Sequence, residues 1–293
     1  MLQRPFGAQG FNVSALGFGA GQIGDAALSE DHVGTLLNRA VDRGVTLVDT
    51  ARGYGLSEER IGRHLSYRRQ DFILSTKVGY GVPGFADWTY DGILAGVDQA
   101  LQFMRTDYID IVHLHSCPLA TLQQGDVIRA LHRAKDMGKI RVVAYSGENA
   151  ELEWAVNSGH FGGVECSINL CDQRSLLAVL PQAQARGIGV IAKRSVANAP
   201  WRYTERPVGE YCEEYWARLQ AMALNNHDMP WSELALRFSA FAPGVSSAIV
   251  GTTRIEHLSH NLEQALKGPL PEDVVAEIRA AFKRCDHDWI GQL

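Results

Sequence analysis

The 293-residue chain lacks most of the features that mark specialised proteins. No run approaches the roughly 18 consecutive apolar residues that a membrane-spanning helix needs, and no Gly/Ser-rich linker or shift in composition divides the chain. Five cysteines, Cys117, Cys166, Cys171, Cys212 and Cys285, are odd in number and form no CxxC pair, which argues against a disulfide framework or a thiolate metal knuckle and fits a reducing compartment. Basic residues do not gather into a stripe, and with 28 Lys and Arg against 33 Asp and Glu the net charge is -5. A nucleic-acid surface is therefore not expected. The opening MLQRPFGAQG has no basic-then-apolar leader, so the expectation is a cytoplasmic protein without membrane association.

What is present is an ordinary globular composition, 46% apolar and 21% charged, arranged with a regular beat. Apolar, β-rich runs occur at 13–19, 46–50, 71–78, 108–115, 140–146, 163–169, 188–194 and 247–251. Helical stretches are expected near 31–43, 57–66, 90–105, 124–137, 150–158, 173–186, 210–242 with a break at Pro230, and 254–266. Several end in a glycine, as at Gly44, Gly138, Gly159 and Gly187, where a left-handed residue closes a helix. Eight strand–helix alternations predict an α/β fold, a (β/α)8 TIM barrel, as a single domain over 1–293. Two additions flank it. QRPFGAQGFNV reads as a hairpin capping the amino-terminal mouth, and 271–284 reads as an extra C-terminal helix opened by a proline.

Four groups fall at or just past the carboxyl ends of successive strands: Asp49 and Tyr54 in VTLVDTARGYGLSEERIG, Lys77 in FILSTKV and His115 in YIDIVHLH. The carboxyl rim is where barrel enzymes keep their chemistry. Singly, each has an ordinary explanation as a turn-capping Asp, a half-buried aromatic or a snorkelling Lys. Together they supply what carbonyl reduction needs: a proton donor in Tyr54, a cation in Lys77 that lowers the phenol pKa, a carboxylate in Asp49 that orients the cation, and an imidazole in His115 that holds the carbonyl oxygen. His113 shares a face with His115 one layer deeper and reads as a core histidine.

With these motifs the chain resembles the aldo-keto reductase family, and IRVVAYSG, GVECSINL and SAIVGTTRIEHLSHNL extend the likeness over nearly its whole length. The resemblance implies a nicotinamide-dependent oxidoreductase whose tetrad is Asp49, Tyr54, Lys77 and His115, acting on a small aldehyde, ketone or sugar. It implies cofactor contacts at Ser146, Gly147, Glu165, Asn169, Lys193, Arg194, Thr252, Thr253, Arg254, His257 and Asn261. Three of these depart from the family pattern: Gly147 stands for Asn, Glu165 for Gln and Lys193 for a stacking aromatic, and Glu165 with Lys193 reads as a compensating pair. Position 257 holds His where Arg is frequent, and position 260 holds His where Glu is frequent. Thr252, Thr253 and Arg254 open a helix whose N-terminus favours phosphate, so NADP(H) is expected ahead of NAD(H).

GAGQIG at 19–24 satisfies GxGxxG, but DAALSED separates it from helical periodicity, so it reads as a tight rim loop rather than a dinucleotide fingerprint. Aromatic substrate walls are expected from Tyr80, Phe85, Trp88, Trp201, Tyr203 and Trp289, and Arg202 and Arg206 lie in the long segment 195–209. Alternatives from other classes are a metal-dependent barrel hydrolase built on His113 and His115, a Cys117 nucleophile, and a non-catalytic NADP-sensing regulatory protein. A monomer or weak homo-oligomer is expected.

Overall fold

The computed structural model describes residues 1–292. A short antiparallel hairpin, β1 (Gln3–Pro5) and β2 (Asn12–Ser14), precedes eight parallel strands. These are β3 (Leu16–Gly19), β4 (Leu47–Asp49), β5 (Ile73–Val78), β6 (Ile109–His115), β7 (Ile140–Ser146), β8 (Gly163–Ser167), β9 (Gly189–Lys193) and β10 (Ser247–Val250). They close in the order β10-β3-β4-β5-β6-β7-β8-β9. Every predicted strand is present, although 13–19 divides at Ala15. Its amide bonds Leu2 of the hairpin while its carbonyl accepts from Ala248 of the barrel, so one residue hands the chain from one sheet to the other.

The helices are α1 (Glu30–Asp42), α2 (Ser57–Leu65), α3 (Tyr90–Met104), α4 (Leu119–Gln124), α5 (Asp126–Asp136), α6 (Asn149–Ser158), α7 (Arg174–Ala178), α8 (Leu180–Ala185), α9 (Glu213–Met222), α10 (Trp231–Ala240), α11 (Ile255–Leu266) and α12 (Glu272–Cys285). Local chemistry sets their limits. Ser29 and Thr89 accept from backbone amides at the starts of α1 and α3, satisfying N–H groups that have no partner within the helix. α1 then buries Val33, Leu36, Leu37, Ala40 and Val41 along one face and gives way at Gly44, whose φ is +88°.

The helices depart from expectation in three places. Gly125 at φ +83° separates the expected α5 from α4, an additional short helix before it. Pro181 in the first turn of α8, with no N–H to give, marks the break after α7. Between α9 and α10 the helix ends at Ala223, which is left-handed, and resumes only after Pro230.

The hairpin closes the bottom of the barrel. Phe6 is fully buried against Val13, Leu47, Ile111, Val142, Ala144, Ile191 and Ile249. The room for it comes from glycine: a Cβ at Gly189 would lie 2.6 Å from the Phe6 ring and one at Gly163 would lie 2.9 Å away. The lower interior is thereby largely apolar, Ser247 being an exception, and most polar groups lie in the upper layers.

Truncating this plug should be expensive. Phe6→Ala is expected to lower unfolding free energy by about 3–5 kcal/mol, the usual cost of emptying a buried aromatic site, in urea denaturation followed by far-UV circular dichroism. A loss below about 1 kcal/mol would mean the hairpin is not part of the core.

Candidate active site

Asp49 ends β4, Lys77 lies one residue before the end of β5, and His115 ends β6. The barrel register places Asp49 beside Ser75 and Lys77 beside His113. All these side chains point inward. Lys77 Nζ donates to Asp49 Oδ2 at 2.5 Å and to the Thr50 carbonyl at 3.0 Å. Tyr54, on the loop between β4 and α2, puts its ring 5.4 Å from Lys77 Nζ and edge-on to His115, with 6.0 Å between ring centroids. The four expected side chains therefore converge, and Asp49, Tyr54 and His115 line one cavity.

The loop carrying Tyr54 is held by side chains that sequence patterns did not single out. Ser57 Oγ donates to the Ala20 carbonyl at 2.8 Å, and Glu58 accepts from Thr76 at 2.6 Å. Arg60, fully buried, donates to the carbonyls of Ile23, Asp25 and Leu28 and to Glu30. These are the SEER residues of the motif, and they bind the loop of 20–28 to that of 51–57. The glycines of GAGQIG serve the same contact. A Cβ at Gly24 would meet the Tyr54 carbonyl at 1.7 Å, and one at Gly21 would rest on the Tyr54 ring at 3.6 Å.

Glu165 changes the electrostatics. Its Oε2 lies 3.3 Å from Lys77 Nζ and 3.9 Å from His113 Nε2, and its Oε1 accepts from Ser146 at 3.4 Å. Two buried carboxylates thus face one ammonium. Ser75 links them further, donating to Asp49 Oδ1 at 2.7 Å with His113 Nε2 3.1 Å away. The expected pairing of Glu165 with Lys193 is not formed. Lys193 stands beside Ser167 while Glu165 stands beside Ile191, a layer apart, and Lys193 Nζ instead meets Glu148 Oε1 at 3.2 Å. Glu148 also accepts from the amide and hydroxyl of Ser167, each at 2.8 Å.

These charges set the protonation states. The Lys77 ammonium pulls the Tyr54 phenol down, as the sequence suggests, but burial, Glu165 and Asp49 outweigh it and leave the pKa raised to about 12. Burial, then Glu165, push the Asp49 carboxyl up, against the pull of Lys77. Burial acts the same way on Glu165, yet Lys77 and His113 hold it below the ordinary range. Burial, then Lys77, lower His115 to about 3, and burial lowers His113 to about 4. At neutral pH the imidazoles are uncharged and Tyr54 keeps its proton.

The cavity has a volume of about 1110 Å3 and runs from the tetrad to the N-terminus of α11, more than a compact drug-sized pocket requires. Ser146, Glu165, Lys193, Arg194, Thr252, Thr253, Arg254, His257 and Asn261 all line it. Gly147 and Asn169 do not. A Cβ at Gly147 would lie 2.3 Å from the Tyr145 hydroxyl, so an Asn is excluded there, and Asn169 is buried against Cys171 and Asp172. Arg202, read from sequence as a candidate partner for an anionic substrate or for phosphate beside a solvated-face alternative, also lines the cavity, and Gln22, Ser116 and Asn198 are lining residues not anticipated as contacts.

Of the expected aromatic walls, Trp201 lines the cavity. Tyr80 and Trp88 pack behind His115, and Trp289 rests on Phe282. An extended anionic nucleotide fits this cleft: α11 has no side-chain cap, leaving its first amides available, and the Arg254 side chain is 65% exposed beside them.

The remaining alternatives meet different surroundings. Asp49, His113 and Glu165 offer ligand atoms within 4.8 Å of one another, but the Lys77 ammonium already lies against both carboxylates. Cys117 is buried and its thiol is pushed up to about 12 by burial, the reverse of what a nucleophilic thiolate requires. Among the described residues no helix is long and apolar enough to cross a membrane.

A closed barrel with this constellation at its carboxyl rim defines a class, and comparison with known proteins agrees. The aldo/keto reductase family model matches residues 15–283, and the chain belongs to that family of oxidoreductases, whose members bind nicotinamide cofactors. It is 28% identical over 278 residues to L-galactose dehydrogenase of Arabidopsis thaliana, covering 88% of this chain and 86% of that protein. It is likewise 28% identical to D-threo-aldose 1-dehydrogenase of a Pseudomonas species, covering 94% and 95%. The holo form of an aldo-keto reductase from Bacillus halodurans superposes with a TM-score of 0.82 at 26% identity, over 96% of both chains.

The depressed histidines give stability an acid-sensitive component. An unfolded His titrates near pH 6.5, so below that point the unfolded chain takes up protons that folded His113 and His115 refuse until about 4 and about 3. The histidine contribution is full above about pH 6.5 and is lost as pH drops toward about 4, whereas buried Asp49 and Asp172, both raised to about 7, act in the opposite direction over the same range. Unfolding free energies from urea denaturation should therefore show the effect as a difference: between those limits the gap between the parent and His113→Gln should change by up to about 1.4 kcal/mol per pH unit. A gap that does not vary with pH would mean that folded His113 titrates as it does in the unfolded chain.

Proposed function

We propose that the chain, acting as one domain over 1–293, catalyses reversible hydride transfer between NADP(H) and a small aldehyde, ketone or sugar. The observation that carries this reading is the placement of Tyr54 and His115 over the Lys77 ammonium, at one end of a cleft that reaches the uncapped start of α11. The bound nucleotide supplies or accepts the hydride. Every other task falls to side chains of the protein.

The substrate oxygen sits between the Tyr54 hydroxyl and the His115 ring. His115, being neutral, contributes a single N–H and orients the oxygen without adding charge. As negative charge develops on that oxygen, Tyr54 gives up its proton, and the adjacent Lys77 ammonium stabilises the phenolate left behind. In the oxidative direction Tyr54 is the base. Its raised pKa keeps the resting phenol protonated, the form the reductive direction consumes.

At the far end of the cleft, Thr252, Thr253 and Arg254 suit the 2'-phosphate, with His257 and Asn261 beside the adenosine. Ser146, Glu165, Lys193 and Arg194 surround the reactive end. Polar side chains of Ser116, next to His115, and of Asn198 and Arg202 are among the residues lining the cleft, which suits a hydroxylated substrate. Two of the relatives carry sugar substrates in their names.

Tyr54→Phe is expected to lower kcat by at least about a thousandfold, within the range for losing a general acid, while nucleotide Kd measured by fluorescence quenching stays within about twofold. Turnover at the parental rate would overturn the assignment. Arg254→Ala is expected to weaken NADP binding by about tenfold and NAD binding hardly at all, as loss of one charge-assisted contact predicts. Equal losses for both nucleotides would remove Arg254 from phosphate recognition.

A further inference from the structure

The second ring nitrogen of His115 is not idle. Its Nδ1 lies 2.8 Å from the hydroxyl of Tyr80, and the two rings stack at 5.5 Å with only 24° between their planes. Tyr80 is itself braced. Trp88 packs edge-on to it at 5.9 Å, and the Trp88 amide donates to the Gly79 carbonyl at 2.8 Å. Gly79 adopts φ +149°, and a Cβ there would lie 2.3 Å from the Trp88 indole, so glycine is what lets the indole lie against this turn. The sequence GY after Lys77 thus builds a stack of indole, phenol and imidazole behind the tetrad.

We infer that Tyr80 is a positioning residue that selects the tautomer and fixes the ring plane of His115. This rests on the reading of His115 as the group that orients the substrate oxygen. A neutral imidazole has one N–H, and its location decides whether the face toward the cavity donates or repels. A phenol is the better donor and an imidazole nitrogen the better acceptor, so the contact is O–H to Nδ1. Among the described residues the Tyr80 hydroxyl has no other protein hydrogen-bond partner. With Nδ1 occupied as an acceptor, the proton resides on Nε2, which has no protein partner and is not enclosed. The opposite tautomer would turn a lone pair toward the carbonyl oxygen. Tyr80 acts only through His115, because its own proton is committed to Nδ1.

The test uses the whole protein labelled with 15N at histidine, with His115 signals assigned by their loss in His115→Ala. In the parent without nucleotide, His115 should show protonated Nε2 and unprotonated Nδ1; in Tyr80→Phe, a measurable Nδ1–H population should appear. With a carbonyl substrate, Tyr80→Phe should lower kcat by about three- to tenfold, in proportion to the lost productive state, and should cost nothing further in a His115→Ala background. A parent already carrying Nδ1–H, a tautomer ratio unmoved by Tyr80→Phe, or an equal loss of kcat in the His115→Ala background would each overturn the inference. Thermal melting of Tyr80→Phe within a few degrees of the parent keeps these outcomes readable. Failure of the wider functional reading shows separately, as absent turnover in the parent, since the tautomer measurement needs no reaction.

Discussion

The upper half of the barrel is organised around one ammonium held between two buried carboxylates. Lys77 reaches Asp49 and Glu165 from a site almost sealed from water, which ties β5 to β4 beside it and to β8 across the interior. Burying such charges is costly even when they are paired, and a well-packed apolar set of similar volume is often as stable or better. The cluster is therefore explained better by what it does to its neighbours than by stability. Its charges act on three neighbours at once: Glu165 and Asp49 oppose the pull of Lys77 on Tyr54, Lys77 adds to the burial that lowers His115, and Glu165 works against the burial that lowers His113.

That arrangement is possible because the barrel is layered. Phe6, Leu47, Ile111, Val142, Ile191 and Ile249 make the lower interior largely apolar, with buried Ser247 as an exception, and the interlocked polar side chains Asp49, Ser75, Lys77, His113 and Glu165 lie above them. The hairpin matters here because an open lower mouth would admit water beneath the charges. A low local dielectric strengthens each interaction in the cluster. Outside the barrel, Arg60 does comparable work by clamping three loop carbonyls, so Tyr54 approaches the cluster from a loop as fixed as a strand.

Much of this was legible in the sequence and some was not, for identifiable reasons. The strands were readable because each is a β-rich apolar run closed off by turn chemistry, and Asp49, Lys77 and His115 could be placed at strand ends by position alone. Alternation within a strand told that His113 lies one layer below His115. It could not tell how strands are staggered against each other. Glu165 and Lys193 both point inward, yet the register between β8 and β9 separates them by a layer, which is why Glu165 joined Lys77 and Lys193 found Glu148. Tyr80 was read as a substrate wall and Glu148 and Arg60 were not singled out, for a related reason: their roles rest on partners 19 to 45 residues away, met only across closed loops. Gly147 shows a third limit, because the cause of its small size, the Tyr145 hydroxyl, lies two residues away on the outward face.

The same cluster bears on the direction of the proposed chemistry. A substrate oxygen entering between Tyr54 and His115 meets two neutral groups, each with a hydrogen to offer, and behind them one cation facing two carboxylates. Such a site can pass a proton to the oxygen as negative charge develops there. Running the reaction the other way requires Tyr54 to lose its proton first, and Glu165 opposes this by adding a second negative charge beside Lys77. A neutral amide at position 165 would remove that opposition. The carboxylate thus tilts the resting site toward the protonated phenol, and a base acting in oxidation has to draw on the Lys77 ammonium to reach the phenolate.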